Sequence, residues 1–223
     1  MASSIWSSIG GLLFPPSCVL CGRDLAQDWL FDSLCEDCFF AIPHEQGMLY
    51  KQGALDRCIW YSSYDHVALR TLITLYKYAG IAGLAKPLGE MQSRALEDAR
   101  IENIIRQKPV VTFVPLHPLK ERFRGYNQSR LLADYIGSYF SLPVRPLVKR
   151  ALLTPPQASL RDASVRKKNS EDVYVLEAQD MPSAVIIVDD VYTSGATLRE
   201  IATLFKREHA KIVWGITLAG PRL

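Results

Sequence analysis

Apolar positions along this chain follow two periods. Val67, Leu69, Leu72, Ile73, Leu75 and Tyr76 recur every three or four residues, which predicts a helix over about 66–79. The same spacing predicts helices over about 84–106, about 128–140 and about 196–208. Short apolar runs predict strands at 58–64, 110–114, 173–176, 185–188 and 211–218. Val185 to Val188 shows no alternation at all, as expected of a central parallel strand covered on both faces. Strands that alternate with helices predict an α/β fold: a mostly parallel twisted sheet with helices on both faces. Two stretches carry neither period. One is a basic loop after Pro115, and the other is the polar segment 154–172.

Length and composition fit that reading. The chain has 223 residues, and 48% are hydrophobic, enough for a sizeable core. No apolar run reaches about 18 residues, so no transmembrane helix is expected. Ile5, Trp6, Ile9, Leu12 and Leu13 predict a short amphipathic helix near the start, packed on its own protein or touching a membrane surface. No Lys or Arg precedes Arg23, so a secretory signal is not expected and the cytoplasm is the expected compartment. Thiols there stay reduced.

The formal net charge of +3 hides an asymmetry. Residues 1–50 hold one Arg and six acids, a balance of −5, while 118–168 hold eleven Lys and Arg against three acids, a balance of +8. An anionic partner is therefore compatible with the near-neutral average.

Four of the five cysteines form two CxxC pairs, Cys18 with Cys21 and Cys35 with Cys38. Two CxxC turns joined by a short hairpin would present four thiolates to one tetrahedral zinc ion. Such a site has no open coordination position, so the metal would be structural. A redox CxxC and chance pairing are the alternatives. Gly22 stands where a tight knuckle needs a positive φ. The expected organisation is a zinc-ribbon-like module over 1–44 and an α/β domain over 45–223. Cys58, in an apolar run, reads as a core thiol.

Residues 185–198, VIIVDDVYTSGATL, carry the most chemistry. Asp189 and Asp190 fall at the carboxyl end of a strand, where open α/β sheets bind ligands. Thr193, Ser194, Gly195, Ala196 and Thr197 then lead into a helix. Small residues and unpaired first-turn amides make an anion cradle, most naturally for phosphate. Two carboxylates would repel bare phosphate but accept hydrogen bonds from hydroxyls and help to hold Mg²⁺. A phosphorylated sugar with a vicinal diol fits both halves. A strand-to-helix turn with an Asx turn and a Thr cap is the purely structural alternative. There is no G-x-G and no P-loop.

This segment resembles the phosphoribosyl pyrophosphate (PRPP) signature of type I phosphoribosyltransferases. The resemblance implies that Asp189 and Asp190 hold ribose hydroxyls and that Thr193 to Thr197 wrap the 5-phosphate, with Mg²⁺ accompanying PRPP. A pyrophosphate would need a second anion site. Lys120, Arg122 and Arg124, in the basic loop after the strand at 110–114, are the candidates, with Asn127 as a helix cap. His117, between two prolines, reads as a loop residue or a general base.

The order of motifs resembles a further group. A CxxC…CxxC module precedes Lys77-Tyr78-Ala79-Gly80, then Arg122 to Gln128 (RFRGYNQ), then Gln157 and Leu160 with Arg166 and Asn169, then the PRPP-type loop. This order resembles the ComF family of bacterial competence proteins over nearly the whole chain. The resemblance implies a type I phosphoribosyltransferase-like fold, a part in uptake of transforming single-stranded DNA and a partner ATPase or helicase. It does not imply a defined transferase reaction. Lys77, Lys120, Arg122, Arg124, Asn127, Gln128 and Arg166 are then expected at a pyrophosphate or DNA contact; Arg161, Arg166, Lys167 and Lys168 read either as a flap that a phosphate-rich ligand orders or as a solvated helix face. Two functions stand open: a PRPP-binding, single-stranded-DNA-binding competence protein, or an active phosphoribosyltransferase that uses PRPP and Mg²⁺ with an unknown acceptor.

Overall fold

The computed structural model describes residues 16–25, 31–99, 101–150, 173–178 and 180–222. The predicted N-terminal helix, Arg161, Arg166 and the polar segment 154–172 lie outside them. In chain order the elements are α1 (Glu36–Phe40), β1 (Gly47–Gln52), β2 (Leu55–Ser63), α2 (Val67–Tyr78), a 3₁₀ turn (Ala82–Leu84), α3 (Ala85–Asp98), α4 (Glu102–Ile105), β3 (Val110–Phe113), α5 (Pro118–Arg124), α6 (Gln128–Phe140), β4 (Val148–Arg150), β5 (Tyr174–Leu176), β6 (Ala184–Val188), α7 (Ala196–Arg207) and β7 (Ile212–Gly220).

The expected α/β class holds. The main sheet has the order β1-β2-β7-β6-β3. Four of its strands run parallel, and β1 joins the edge antiparallel to β2. The unbroken apolar run of β6 is divided by the pleat. Ile186 and Val188 join one core with α2, α3 and α6, while Val185 and Ile187 join another with α7. Each strand position thus meets helices whichever way it points, so alternation disappears from the sequence.

Four expectations need correction. The strand β1 is missed by the pattern because it is an edge strand with only Gly47 fully buried. The expected helix over 84–106 is two helices, because the chain turns at Ala99 and resumes at Glu102. The strand at 173–176 lies outside the main sheet, paired with β4 as a two-stranded ribbon. The basic loop holds a helix, α5. His117 caps it, Pro118 opens it and Gly125, with φ of 85°, closes it in the left-handed region. None of its residues is buried, so no apolar period marks it.

The cysteine module and the sheet share one core. Leu25, Phe31, Leu34, Phe39 and Ile42 lie in the same buried cluster as Ile59, Leu69, Leu88 and Ile216. Arg94 of α3 sits over the rings of Phe39 and Phe40. The Trp60 ring lies where side chains at Gly47 and Gly220, on the two flanking strands, would have to be.

Candidate functional site

The strand β6 ends at Val188, and the backbone continues in sheet-like pairing. The Asp189 amide donates to Ile216 (3.0 Å), and the Asp190 carbonyl accepts from Leu218 (3.0 Å). These bonds hold both acids at the carboxyl end of two central strands. The Tyr192 amide then donates to Ala219 (2.8 Å), and the chain lifts into the loop.

The loop closes on Gly195, which has φ of 72° and forms the N-cap of α7. A side chain there would overlap the Tyr192 ring. That ring is buried and stacked on Trp60, centroids 5.8 Å apart. Thr193, Ser194 and Ala196 are exposed above it. Asp189 and Val191 to Leu198 line a small pocket. No side chain at the N-cap position closes α7. Its first-turn amides lack intrahelical acceptors, and of these Ala196 meets the Ser194 hydroxyl (3.4 Å). Arg199 donates to the Ser194 carbonyl (2.6 Å) and tethers the loop from the next helical turn.

The acid pair is deeply connected. Asp190 is 4% exposed, and both of its carboxylate oxygens are taken. Oδ1 meets Lys77 Nζ at 2.7 Å, and Oδ2 accepts from Gln128 Nε2 at 3.1 Å. Gln128 in turn accepts from Arg124. Asp189 Oδ1 accepts from the Ser129 hydroxyl and from the Asp190 amide, both at 2.9 Å. Its carbonyl accepts from Gln92 Nε2 at 2.8 Å. Burial, reinforced by the charge of Asp190, raises the Asp189 carboxyl to about 7. Burial alone would lower Lys77, but the adjacent Asp190 carboxylate outweighs it and raises the ammonium above its ordinary value.

Lys77, Arg124 and Gln128 thus converge on the acid pair from α2, α5 and α6. Lys120 and Arg122 do not reach it; they lie exposed on α5. Asn127 is a structural cap: its side chain accepts from the Arg130 amide (3.2 Å) and donates to the Val114 carbonyl (3.2 Å). His117 caps α5, with Nδ1 accepting from Leu119 at 3.2 Å.

The cysteine cluster is equally compact. One Sγ from each of Cys18, Cys21, Cys35 and Cys38 lies within 4.8 Å of the others. The first pair forms a turn in which Gly22 has φ of 73° and donates to the Cys18 carbonyl (2.8 Å). The second pair differs from the expected knuckle: Cys35 is the N-cap of α1 and Cys38 lies inside that helix. Burial works to raise the Cys18 thiol, but the amides of Cys35, Cys21 and Leu20 outweigh it and bring it down to about 6. Burial raises Cys35. Four soft donors at this spacing could hold one metal ion.

No protein-family model matches the chain. Curated proteins do. Competence protein F of Haemophilus influenzae is 26% identical over 209 residues, spanning 92% of this chain and 85% of that protein. DNA utilization protein YhgH of Escherichia coli is 28% identical over 201 residues, 88% of this chain and 86% of its own length. Competence protein ComFC of Streptococcus pneumoniae is 23% identical over 146 residues, 66% of this chain and 60% of that one. These likenesses support a ComF family protein. A match spanning 92% of the chain must cross both the cysteine cluster and the 189–197 loop, so the likeness to competence protein F joins the two sites.

Three residues of this site escaped the sequence reading. Tyr192 supports the loop, Ser129 holds Asp189, and Gln92 holds the backbone between the acids. Gln92 had a signal: it lies four residues from both Leu88 and Leu96, on the buried face of α3. Ser129 directly follows Gln128 in the first turn of α6. Among the described residues no helix is long and apolar enough to cross a membrane.

Proposed function

We propose that this protein binds PRPP, or a related ribose phosphate, in the 189–197 pocket and single-stranded DNA on the adjoining α5 surface, acting in DNA uptake. The observation that carries the reading is the loop itself. Gly195 is held over a buried tyrosine, and its neighbours surround a pocket at the start of a twelve-residue helix, beside two carboxylates. The first-turn amides and the Thr193, Ser194 and Thr197 hydroxyls suit a 5-phosphate. Asp189 suits ribose hydroxyls, since it retains acceptor capacity beyond Ser129. Mg²⁺ would accompany the pyrophosphate, and Arg124, which donates to Gln128 beside the acid pair, would supply a cation for it.

The DNA half rests on α5. Phe123 is 95% exposed and Leu119 70% exposed, beside exposed Lys120 and Arg122. Tyr78 is 77% exposed, with the Arg124 guanidinium 5.7 Å from its ring centre. Aromatic faces interleaved with cations suit stacked bases and a phosphate backbone. Competence protein F and YhgH are named for competence and DNA utilization, which supports the same role. The four cysteines would hold a structural zinc ion, and the acidic 1–44 module would serve as a dock for a competence ATPase or helicase rather than as a phosphate site.

The test is calorimetric titration with PRPP and Mg²⁺. The wild type is expected to bind, and Asp189→Ala combined with Asp190→Ala to lose binding while retaining a cooperative melt. Undiminished binding by that folded variant would overturn the site. Pyrophosphate release on adding a nucleobase would identify a transferase instead of a binding protein.

A further inference from the structure

The acid pair has a resident cation. Lys77 Nζ stands 2.7 Å from Asp190 Oδ1, Gln128 covers Oδ2, and the Asp190 side chain is 6% exposed. The Lys77 side chain is itself only 22% exposed. The ammonium also lies close enough to Asp189 for the two charges to attract. A divalent ion on Asp190 would have to displace Lys77 or share its oxygen. Two cations on one buried oxygen repel strongly in a medium of low dielectric.

We propose that Lys77 takes the place that a divalent metal would hold on the acid pair, so that the ribose-phosphate half of the ligand binds without a metal. The inference rests on the ribose-phosphate reading of the pocket. Lys77 acts here as a positioning residue. Its ammonium holds the Asp190 side chain in place, and the Asp190 amide in turn holds Asp189 Oδ1. Sugar hydroxyls then meet an acid pair already neutralised in part, and Mg²⁺ is left to the pyrophosphate. The family resemblance suggests a metal-assisted site; the observed geometry narrows that assistance to one end of the ligand.

The experiment uses ribose 5-phosphate, which lacks the pyrophosphate. The full chain, its cysteine site left intact by avoiding chelators, is titrated in magnesium-free buffer and again with millimolar magnesium chloride. Wild-type affinity is expected to agree within about twofold between the two buffers. Lys77→Met is expected to lose about tenfold or more without magnesium. Magnesium should then recover part of that loss, because the vacated carboxylate becomes a cation site. Lys77→Arg, which restores the charge, should bind within a few fold of wild type. A merely structural lysine would not make the variant magnesium-dependent.

A wild-type affinity that falls tenfold without magnesium overturns the inference, as does a Lys77→Met protein that binds normally in magnesium-free buffer. The wild-type arm decides alone if that variant does not fold. If ribose 5-phosphate binds in neither buffer, the ribose-phosphate reading of the pocket falls, and the inference with it.

Discussion

Gly195 sits directly over the ring of Tyr192, so closely that a β-carbon at 195 would overlap the phenol. The two residues set the shape of the loop together. The positive φ of 72° excludes most side chains on backbone grounds, and the ring excludes them on steric grounds.

Gly195→Ala is therefore expected to destabilise the protein. The left-handed conformation costs an L-residue about 1–2 kcal/mol, and overlap with a packed ring adds roughly 1–3 kcal/mol. The two contributions separate in a double-mutant cycle with Tyr192→Leu, which removes the ring. The double variant should be more stable than the sum of the single effects predicts, by the steric share alone. Strict additivity in urea denaturation would show that the ring does not restrict residue 195.

Asp189 gives a pH signature. Its carboxyl stays protonated to about 7 in the folded chain, because burial and the neighbouring Asp190 charge oppose ionisation, whereas the ordinary value is 3.8. Between those values the native state holds a proton that the unfolded chain has released. This contribution to stability is complete below the lower value and is lost as pH rises through the upper one. Asp189→Asn has no such proton to lose. The stability of the variant relative to wild type should rise between about pH 5 and about pH 8 in urea melts. A relative stability that falls over that interval would contradict the burial of a charge at this position.

Much of this site was legible because its chemistry is contiguous. Asp189, Asp190 and the Thr193–Thr197 loop occupy one strand-to-helix junction, so local rules suffice to bring them together. The partners were not contiguous. Lys77, Gln92 and Gln128 arrive from three helices, and only the packing of α2, α3 and α6 against one sheet face places them around the acids. Tyr192 carried no local signal, because its role depends on Trp60 from a strand far earlier in the chain. The same contrast governs the fold. Buried strands such as β6 announce themselves by apolar runs, whereas β1 and α5 bury little and leave the periodicity almost unmarked.

The cysteine cluster should contribute to the stability of the whole chain. Phe31, Leu34 and Phe39 share a core with the sheet, so loosening of the module exposes part of that core. The purified protein is expected to carry one zinc ion per chain by elemental analysis. Cys38→Ser should lose it and melt at a distinctly lower temperature. Zinc–peptide binding free energies of roughly 10–16 kcal/mol make the loss large wherever metal binding is coupled to folding. A Cys38→Ser protein with unchanged zinc content and melting temperature would exclude the four-thiolate site.

The α5 surface allows a test that leaves the fold untouched. Phe123 is 95% exposed, so Phe123→Ala removes almost no packing and should leave the melting temperature where it was. If bases stack there, affinity for an unstructured oligothymidine should fall by about 1–3 kcal/mol. Replacing Lys120 and Arg122 by alanine should act differently. Each lost phosphate contact lowers the slope of log affinity against log salt by about 0.7 for a single strand. Fluorescence anisotropy at several salt concentrations separates the two effects, because a stacking loss shifts the line and a charge loss tilts it. Phe123→Ala binding identical to wild type at every salt concentration would remove the aromatic contact, and an unchanged slope in the alanine pair would remove the cationic one.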